Sequence, residues 1–354
     1  MRFWITGLIA LATTFSACNK KEKQEEKMVD LSTVTDKTEL RIAELTGALQ
    51  QEPKNANLYN RRAMLYLDAK KHNEALQDID QAIALDSARG EYYYHKAKIL
   101  RADNKISAAF KAERQAEAKE YKNPDLYVLT GEMYFIVKEY QKAIDHLNQA
   151  LKLSPFNEYA YFYKGMVYAE SGDTARAISS FQTSVEQAPE FTEGYNQLIK
   201  IYNARKEYKM AAQYAASGLR FNPTDAFLWY NSGVTEQLQN NADSAITSYQ
   251  RAVFYDSAMN LAHFNLALFL YEKQNFDKAA HLFQKAMQLN DRLPQVEVLL
   301  AESLEKAGKY QQALQVYQQM NRKNPSDAVA TEGIARVTQK LNLPKPDTTK
   351  RTDR

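Results

Sequence analysis

Between residues 56 and 327, small and apolar positions return with one unbroken spacing. Ala75, Ala109, Ala143, Ala177, Ala211, Ala245, Ala279 and Ala313 follow each other at intervals of 34 residues. The chain therefore divides into eight blocks: 56–89, 90–123, 124–157, 158–191, 192–225, 226–259, 260–293 and 294–327. Numbered 1 to 34 within each block, the alanine holds position 20. Position 8 is small in Ala63, Ala97, Gly131, Gly165, Gly233, Ala267 and Ala301, with Ile199 as the exception. Position 4 is aromatic in Tyr59, Tyr93, Tyr127, Tyr161, Tyr195 and Trp229. Positions 4, 7, 8 and 11 fall on one face of a helix, and positions 20, 24 and 27 on one face of a second. Pro155, Pro189, Pro223 and Pro325 at position 32, with Pro124 and Pro294 at position 1, mark helix boundaries. The pattern predicts two helices per block (A, then B), pressed together through small side chains and stacked eight times, because units of this period bury their apolar faces against one another.

The flanks continue the scheme. Residues 36–55 predict a half repeat, with a helix over 37–51 whose Asp36 and Glu39 are spaced as a capping box. Residues 328–341 predict a last helix that covers the open apolar face, as terminal repeats require. The basic, Thr-rich tail 342–354 is expected to be disordered. Two joints are expected to pack loosely. Glu113 occupies position 24 of its block, where an apolar residue is usual, and Ile199 at position 8 faces only Ala215 and Gly218 at positions 24 and 27.

Residues Trp229-Tyr230-Asn231-Ser232-Gly233, and the set Tyr161, Gly165, Tyr168, Ala177, Phe181 and Pro189, resemble the W-x2-L-G-x2-Y…A-x3-F…P signature of the tetratricopeptide repeat. The resemblance covers 56–327. It implies an all-α fold, a right-handed α–α superhelix whose first helices line a concave groove through positions 2, 5, 6, 9, 12 and 13. On this chain those positions make the expected partner-binding residues Phe135, Tyr159, Phe162, Tyr163, Met166, Asn196, Lys200, Phe227, Tyr230, Asn231, Phe264 and Tyr271. They form two aromatic stretches, in repeats 3–4 and 6–7, either side of a polar repeat 5 (Glu193, Asn196, Gln197, Lys200, Asn203). Aromatic and methionine side chains in a contiguous exposed patch mark a binding surface; the alternative is burial between neighbouring helices. The carboxylate clamp of chaperone-binding members is not complete here. Asn231 and Asn265 hold its position 6, but Asn196 and Lys200 stand in reversed order and repeat 8 offers Gln295 and Leu299.

The N-terminus is a different kind of sequence. Arg2, an apolar run over 3–15, and Ser16-Ala17 before Cys18 predict a secretory signal over 1–17, too short to span a bilayer of ~20 residues per helix. Cys18 is the single cysteine in the chain, so no intramolecular disulfide forms. The junction resembles the lipobox of bacterial lipoproteins, with Phe15 where leucine is usual. That resemblance implies acylation of Cys18 and a mature chain beginning there. Residues 18–35 then read as a mixed-charge tether (Lys20, Lys21, Glu22, Lys23, Glu25, Glu26, Lys27). Asn19, not aspartate, follows the cysteine, and charges follow it closely, as in Bacteroidota lipoproteins. The implied location is the cell envelope, lipid-anchored, at the outer membrane.

Composition limits the chemistry. A net charge of +3 spread over the chain leaves no nucleic-acid footprint. His72, His95, His146, His263 and His281 fall at five different frame positions, and no Walker, dinucleotide or nucleophile-elbow motif is present. No catalytic residue, metal or cofactor is expected. The expected function is a non-catalytic scaffold that holds a protein segment in its groove, in assembly of an envelope complex. The alternatives are a surface lipoprotein that binds nutrients or glycans, and an accessory subunit of a cell-wall enzyme. The register itself is testable. Ala177→Leu should overpack the helix A–helix B contact and cost about 1–3 kcal/mol, read as a lowered midpoint in urea; an unchanged midpoint would refute the assigned packing.

Overall fold

The computed structural model describes residues 37–342 apart from Pro294. The signal segment, Cys18, the tether and residues 343–354 lie outside the described residues. Among the described residues there are eighteen helices and no strand. After α1 (Lys37–Gln51) come the A and B helices of the eight repeats in turn: α2 (Ala56–Asp68) and α3 (His72–Leu85), α4 (Gly90–Ala102) and α5 (Ile106–Ala118), α6 (Pro124–Ile136) and α7 (Tyr140–Leu153), α8 (Glu158–Glu170) and α9 (Thr174–Gln187). The second half continues with α10 (Thr192–Ala204) and α11 (Tyr208–Phe221), α12 (Ala226–Leu238) and α13 (Ala242–Tyr255), α14 (Asn260–Glu272) and α15 (Phe276–Leu289), α16 (Val296–Lys306) and α17 (Tyr310–Lys323), closed by α18 (Ala328–Asn342). The product is an α–α superhelix.

The A–B contact follows from volume. All eight alanines at position 20 are fully buried. A Cβ added at Gly131 would lie 2.6 Å from the Leu147 side chain, at Gly165 2.6 Å from the Phe181 ring, and at Gly233 2.8 Å from the Tyr249 ring. Each glycine at position 8 thus makes room for the bulky residue at position 24 of the same repeat. The joint at repeat 5 uses the opposite assignment. Ile199 is fully buried in one apolar cluster with Ala215, and Gly218 receives the Leu228 side chain at 2.9 Å from its hypothetical Cβ. The positions expected to be underfilled are filled from the partner side, because packed interiors conserve summed volume more than the identity of any one residue.

Turns repeat as strictly as helices. Position 15 of every repeat is left-handed: Lys70, Asn104, Lys138, Gly172, Lys206, Asn240, Gln274 and Gly308, with φ from +57° to +83°. The next N–H closes back on the carbonyl at position 11 at 2.8–2.9 Å in all eight, as Lys71 does on Tyr66 and Glu207 on Tyr202. This is the six-residue closure of a Schellman turn, which satisfies carbonyls that the end of helix A leaves open. The opposite turn is tied by position 4. The Tyr59, Tyr93 and Tyr161 hydroxyls and the Trp229 indole donate to the position-32 carbonyls of Pro53, Ser87, Pro155 and Pro223. His263 replaces the aromatic and makes the same bond from Nε2 to Ser257, 3.0 Å away. A carbonyl only accepts, so Nε2 carries the proton.

Both ends are fastened by specific contacts. Arg62 makes a two-pronged pair with Asp78 and also donates to Thr46 of α1. At the other end Gly333 lets α18 close on Tyr317, whose ring would stand 2.5 Å from an added Cβ.

Glu113 is 4% exposed in the joint between repeats 2 and 3. Burial, and after it Glu117, raises its pKa to about 7. Thr130 Oγ1 lies 3.2 Å from Glu113 Oε1 and 2.9 Å from the Leu126 carbonyl. One hydroxyl proton serves one acceptor. With that proton on Leu126, the short approach is satisfied when Glu113 is protonated and donates to Thr130. The unfolded carboxyl titrates near 4.5, so between that pH and about 7 the folded state holds a proton that the unfolded state has lost. Stability therefore falls as pH rises through this window. Glu113→Gln should match the wild type near pH 4.5 and exceed it at pH 8 by on the order of 2–3 kcal/mol, measured by urea denaturation at both pH values; parallel pH profiles would refute the assignment.

Candidate functional site

Neighbouring A helices touch directly at α2–α4, α4–α6, α6–α8 and α10–α12, and no pair of B helices from successive repeats does so to a comparable extent. The stack therefore closes toward its A face, which is the concave one. The residues expected in the groove lie on that face but divide by burial.

Most are part of the packing. Phe162 packs edge-on against Phe191 at 5.2 Å and against Phe181 at 5.7 Å. Met166 lies against the same apolar cluster. Tyr230 and Phe264 lean on the core rings Tyr249 and Phe283 of their own repeats. Phe135 is half-buried beside Tyr140. Asn231 is 5% exposed and donates to Asn196 at 2.6 Å, which links the two amides across adjacent A helices. Asn265 donates to the Tyr249 hydroxyl. Both asparagines that match the chaperone clamp thus make a hydrogen bond within the solenoid.

A second group forms a polar ladder along the groove floor, twice from position 12 of one repeat to position 9 of the next and once from position 5 to position 6. Arg101 pairs with Glu132 at 3.3 Å, and Tyr163 sits against Glu132, with burial first and that carboxylate second raising its phenol far above the usual range. Tyr271 donates to Glu302 at 2.6 Å and accepts from Lys306, whose ammonium also lies 4.3 Å from its ring centroid. At the first two repeats Asn60 and His95 meet at 2.6 Å; burial and then Lys98 lower the His95 pKa to about 4. This pair lines a shallow hollow of about 460 Å³ with Arg41, Arg61, Met64 and Glu91.

A third group is exposed, although the Tyr159 ring also packs edge-on against Phe191 at 5.0 Å. Tyr159 is 47% and Phe227 61% exposed, both at position 2 on the groove rim, and Lys200 projects from the floor. Burial, then the carboxylates of Glu158, Glu193 and Asp125, push the Tyr159 phenol upward. The sequence frame did not single out Phe156, Phe221 and Phe254, which are exposed just outside the groove. Their signal was available: large aromatics at positions 33, 30 and 29, which the repeat does not need. Among the described residues no three histidine, cysteine or acidic side chains converge as a metal group, and no helix is long and apolar enough to cross a membrane.

Helix hairpins in a regular superhelix, with a concave face of A helices, define a repeat solenoid built for binding along a surface. Comparison with known families agrees. Residues 56–89 and 160–226 match families described as tetratricopeptide repeat, residues 131–172 one described as TPR repeat, and residues 238–320 one described as anaphase-promoting complex, cyclosome, subunit 3. The chain belongs to the tetratricopeptide repeat family. Relatives include BBSome complex member BBS4 of Bos taurus, 22% identical over 78% of this chain and 53% of that protein. The Hsp70-Hsp90 organizing protein of Triticum aestivum is 22% identical over 53% of this chain and 39% of its own length. The chain thus spans about half or less of these relatives. Among solved structures, the Cut9–Hcn1 hetero-tetramer of APC/C superposes with a TM-score of 0.52 at 16% identity, over 84% of this chain and 59% of that one. Pseudomonas aeruginosa PilF superposes with a TM-score of 0.51 at 15% identity, over 60% of this chain and 97% of that one. These likenesses show the fold.

Proposed function

We propose that the protein is a non-catalytic scaffold of the bacterial cell envelope, anchored through acylated Cys18 at the outer membrane, and that its concave face holds a segment of a protein partner. Repeat proteins of this family serve as protein-interaction scaffolds, as the organizing-protein relative illustrates by name. The observation that carries the groove reading is the contrast along the A face. Most of its aromatics are used internally, whereas Tyr159, Lys200 and Phe227 are presented to solvent on rigid helices. Ordered aromatic side chains beside polar ones are what an extended or helical segment needs for anchoring and register. Half-buried Met166 and exposed Leu238 extend the same surface. The anchor rests on the N-terminal sequence: a short apolar run, small residues and one cysteine, followed by a charged tether that would give the solenoid reach from the bilayer.

Two measurements test this reading separately. Cys18→Ser should abolish labelling by a radiolabelled fatty acid and move the protein out of the membrane fraction; continued lipid labelling would remove the anchor from the proposal. Lys200→Glu and Leu238→Ala together alter the groove at two exposed side chains. This variant should lose, by tenfold or more, the partner that the wild type captures by cross-linking in solubilised envelope. Equal capture by the two proteins would place binding elsewhere.

A further inference from the structure

Among the described residues the five exposed aromatic side chains, Phe156, Tyr159, Phe221, Phe227 and Phe254, lie on one edge of the stack. Antiparallel helices put every B-to-A turn on that edge and every A-to-B turn on the other. The other edge carries Lys70, Lys138 and Lys206 at its left-handed positions and no exposed ring. At frame positions 30, 33 and 2 the turn from α7 to α8 presents Leu153, Phe156 and Tyr159. The turn from α11 to α12 presents Phe221, Thr224 and Phe227. The turn between them, from α9 to α10, presents Gln187, Glu190 and Glu193, with Glu186 beside them. These three glutamates are exposed, and no lysine or arginine among the described residues pairs with them. At positions 30, 33 and 2 the edge thus reads apolar, acidic, apolar over three consecutive turns, while position 29 carries Lys152, Glu186 and Arg220 in turn. The position-4 hydrogen bonds Tyr161–Pro155 and Trp229–Pro223 hold the two outer turns.

We propose that this edge docks a segment of another protein that carries lysine or arginine at its centre and apolar side chains on both sides. Unpaired carboxylates select a cation through complementary potential, and exposed rings supply the desolvated anchors that hold it. A second copy of this chain is a poor occupant. A two-fold contact centred here would set Glu190 and Glu193 against their own copies, and like charges opposed across an interface are repulsive. A bilayer is a poor occupant too, because the central carboxylates would lose water with no partner. Helix layers spaced 8–10 Å place the two aromatic turns, two repeats apart, roughly 20 Å from each other. A helical ligand at 1.5 Å per residue needs its apolar anchors roughly 13 residues apart; an extended one at 3.3 Å needs roughly 6. The surface adds positions 30 and 33, outside the concave face, to the position-2 rim residues Tyr159, Glu193 and Phe227 that it shares with the groove, so the variants at Phe156 with Phe221 and in the groove tell the two readings apart.

The test is selection of random 20-residue peptides displayed on phage against the full chain, followed by anisotropy titration of the enriched peptides. Three exposed-site or groove variants are compared, each checked for wild-type circular dichroism: Glu186→Lys with Glu190→Lys and Glu193→Lys; Phe156→Ser with Phe221→Ser; and the groove variant described above. The expected result is peptides with central lysine or arginine between apolar anchors. Their affinity should drop at least tenfold on both edge variants and stay unchanged on the groove variant. Enrichment of acidic or uncharged peptides, equal binding to the charge-reversed edge, or no enrichment at all would overturn the proposal. Loss on the groove variant alone would overturn it while supporting the groove. Dimerisation or liposome flotation abolished by the edge variants, without peptide binding, would assign the surface to a second copy or to lipid and overturn it equally.

Discussion

The close approach of helix A to helix B at positions 8, 20 and 24 is the contact on which the rest of the structure depends. Alanine at position 20 is buried without exception, and position 8 trades volume with position 24. Glycine meets Leu147, Phe181 or Tyr249, and isoleucine meets alanine. Trading volume between the two positions lets helix A approach helix B closely in each of these repeats, and hairpins closed in the same way stack in one register. Without it the A faces would not align, and neither a groove nor an edge would be continuous. The same constraint explains why Ile199 and Ala215 do not make a defect, although each departs from the repeat when taken alone.

The turns convert this regular core into two chemically different edges. At the A-to-B turn the Schellman closure demands a left-handed residue, and six of the eight are not glycine. Lysine, asparagine or glutamine there costs some backbone energy, and lysine also places charge on that edge. At five B-to-A turns the constraint is met from the next helix, by the polar tip of the position-4 side chain. In repeats 3 to 6, positions 30, 33 and 2 carry exposed rings and carboxylates, of which Tyr159 also packs against Phe191.

Legibility of the site was uneven for a physical reason. A helical frame assigns each residue to a helix and a face, and the twelve expected groove residues all lie on A helices. It does not say whether a side chain on that face points across the groove or sideways onto the next A helix. Asn231 and Asn196 share a face with Lys200, yet the first two bond to each other and the third does not. Phe162 and Phe227 stand three places apart in the frame, at positions 5 and 2. One is wedged between Phe181 and Phe191, and the other is open. The polar ladder through Glu132 and Glu302 joins residues 31 apart, a separation that carries no local signal.

Sequence alone determined the period, the helix pairs, the small-residue contacts and the face that each residue occupies, because these follow from local propensity and a 34-residue spacing that no insertion disturbs. Only the tertiary structure decided which aromatics are core and which are surface, that Glu113 is buried beside Thr130, and that the exposed rings gather on one edge. Those outcomes turn on how neighbouring repeats pack against one another, and periodicity along the chain carries no information about that.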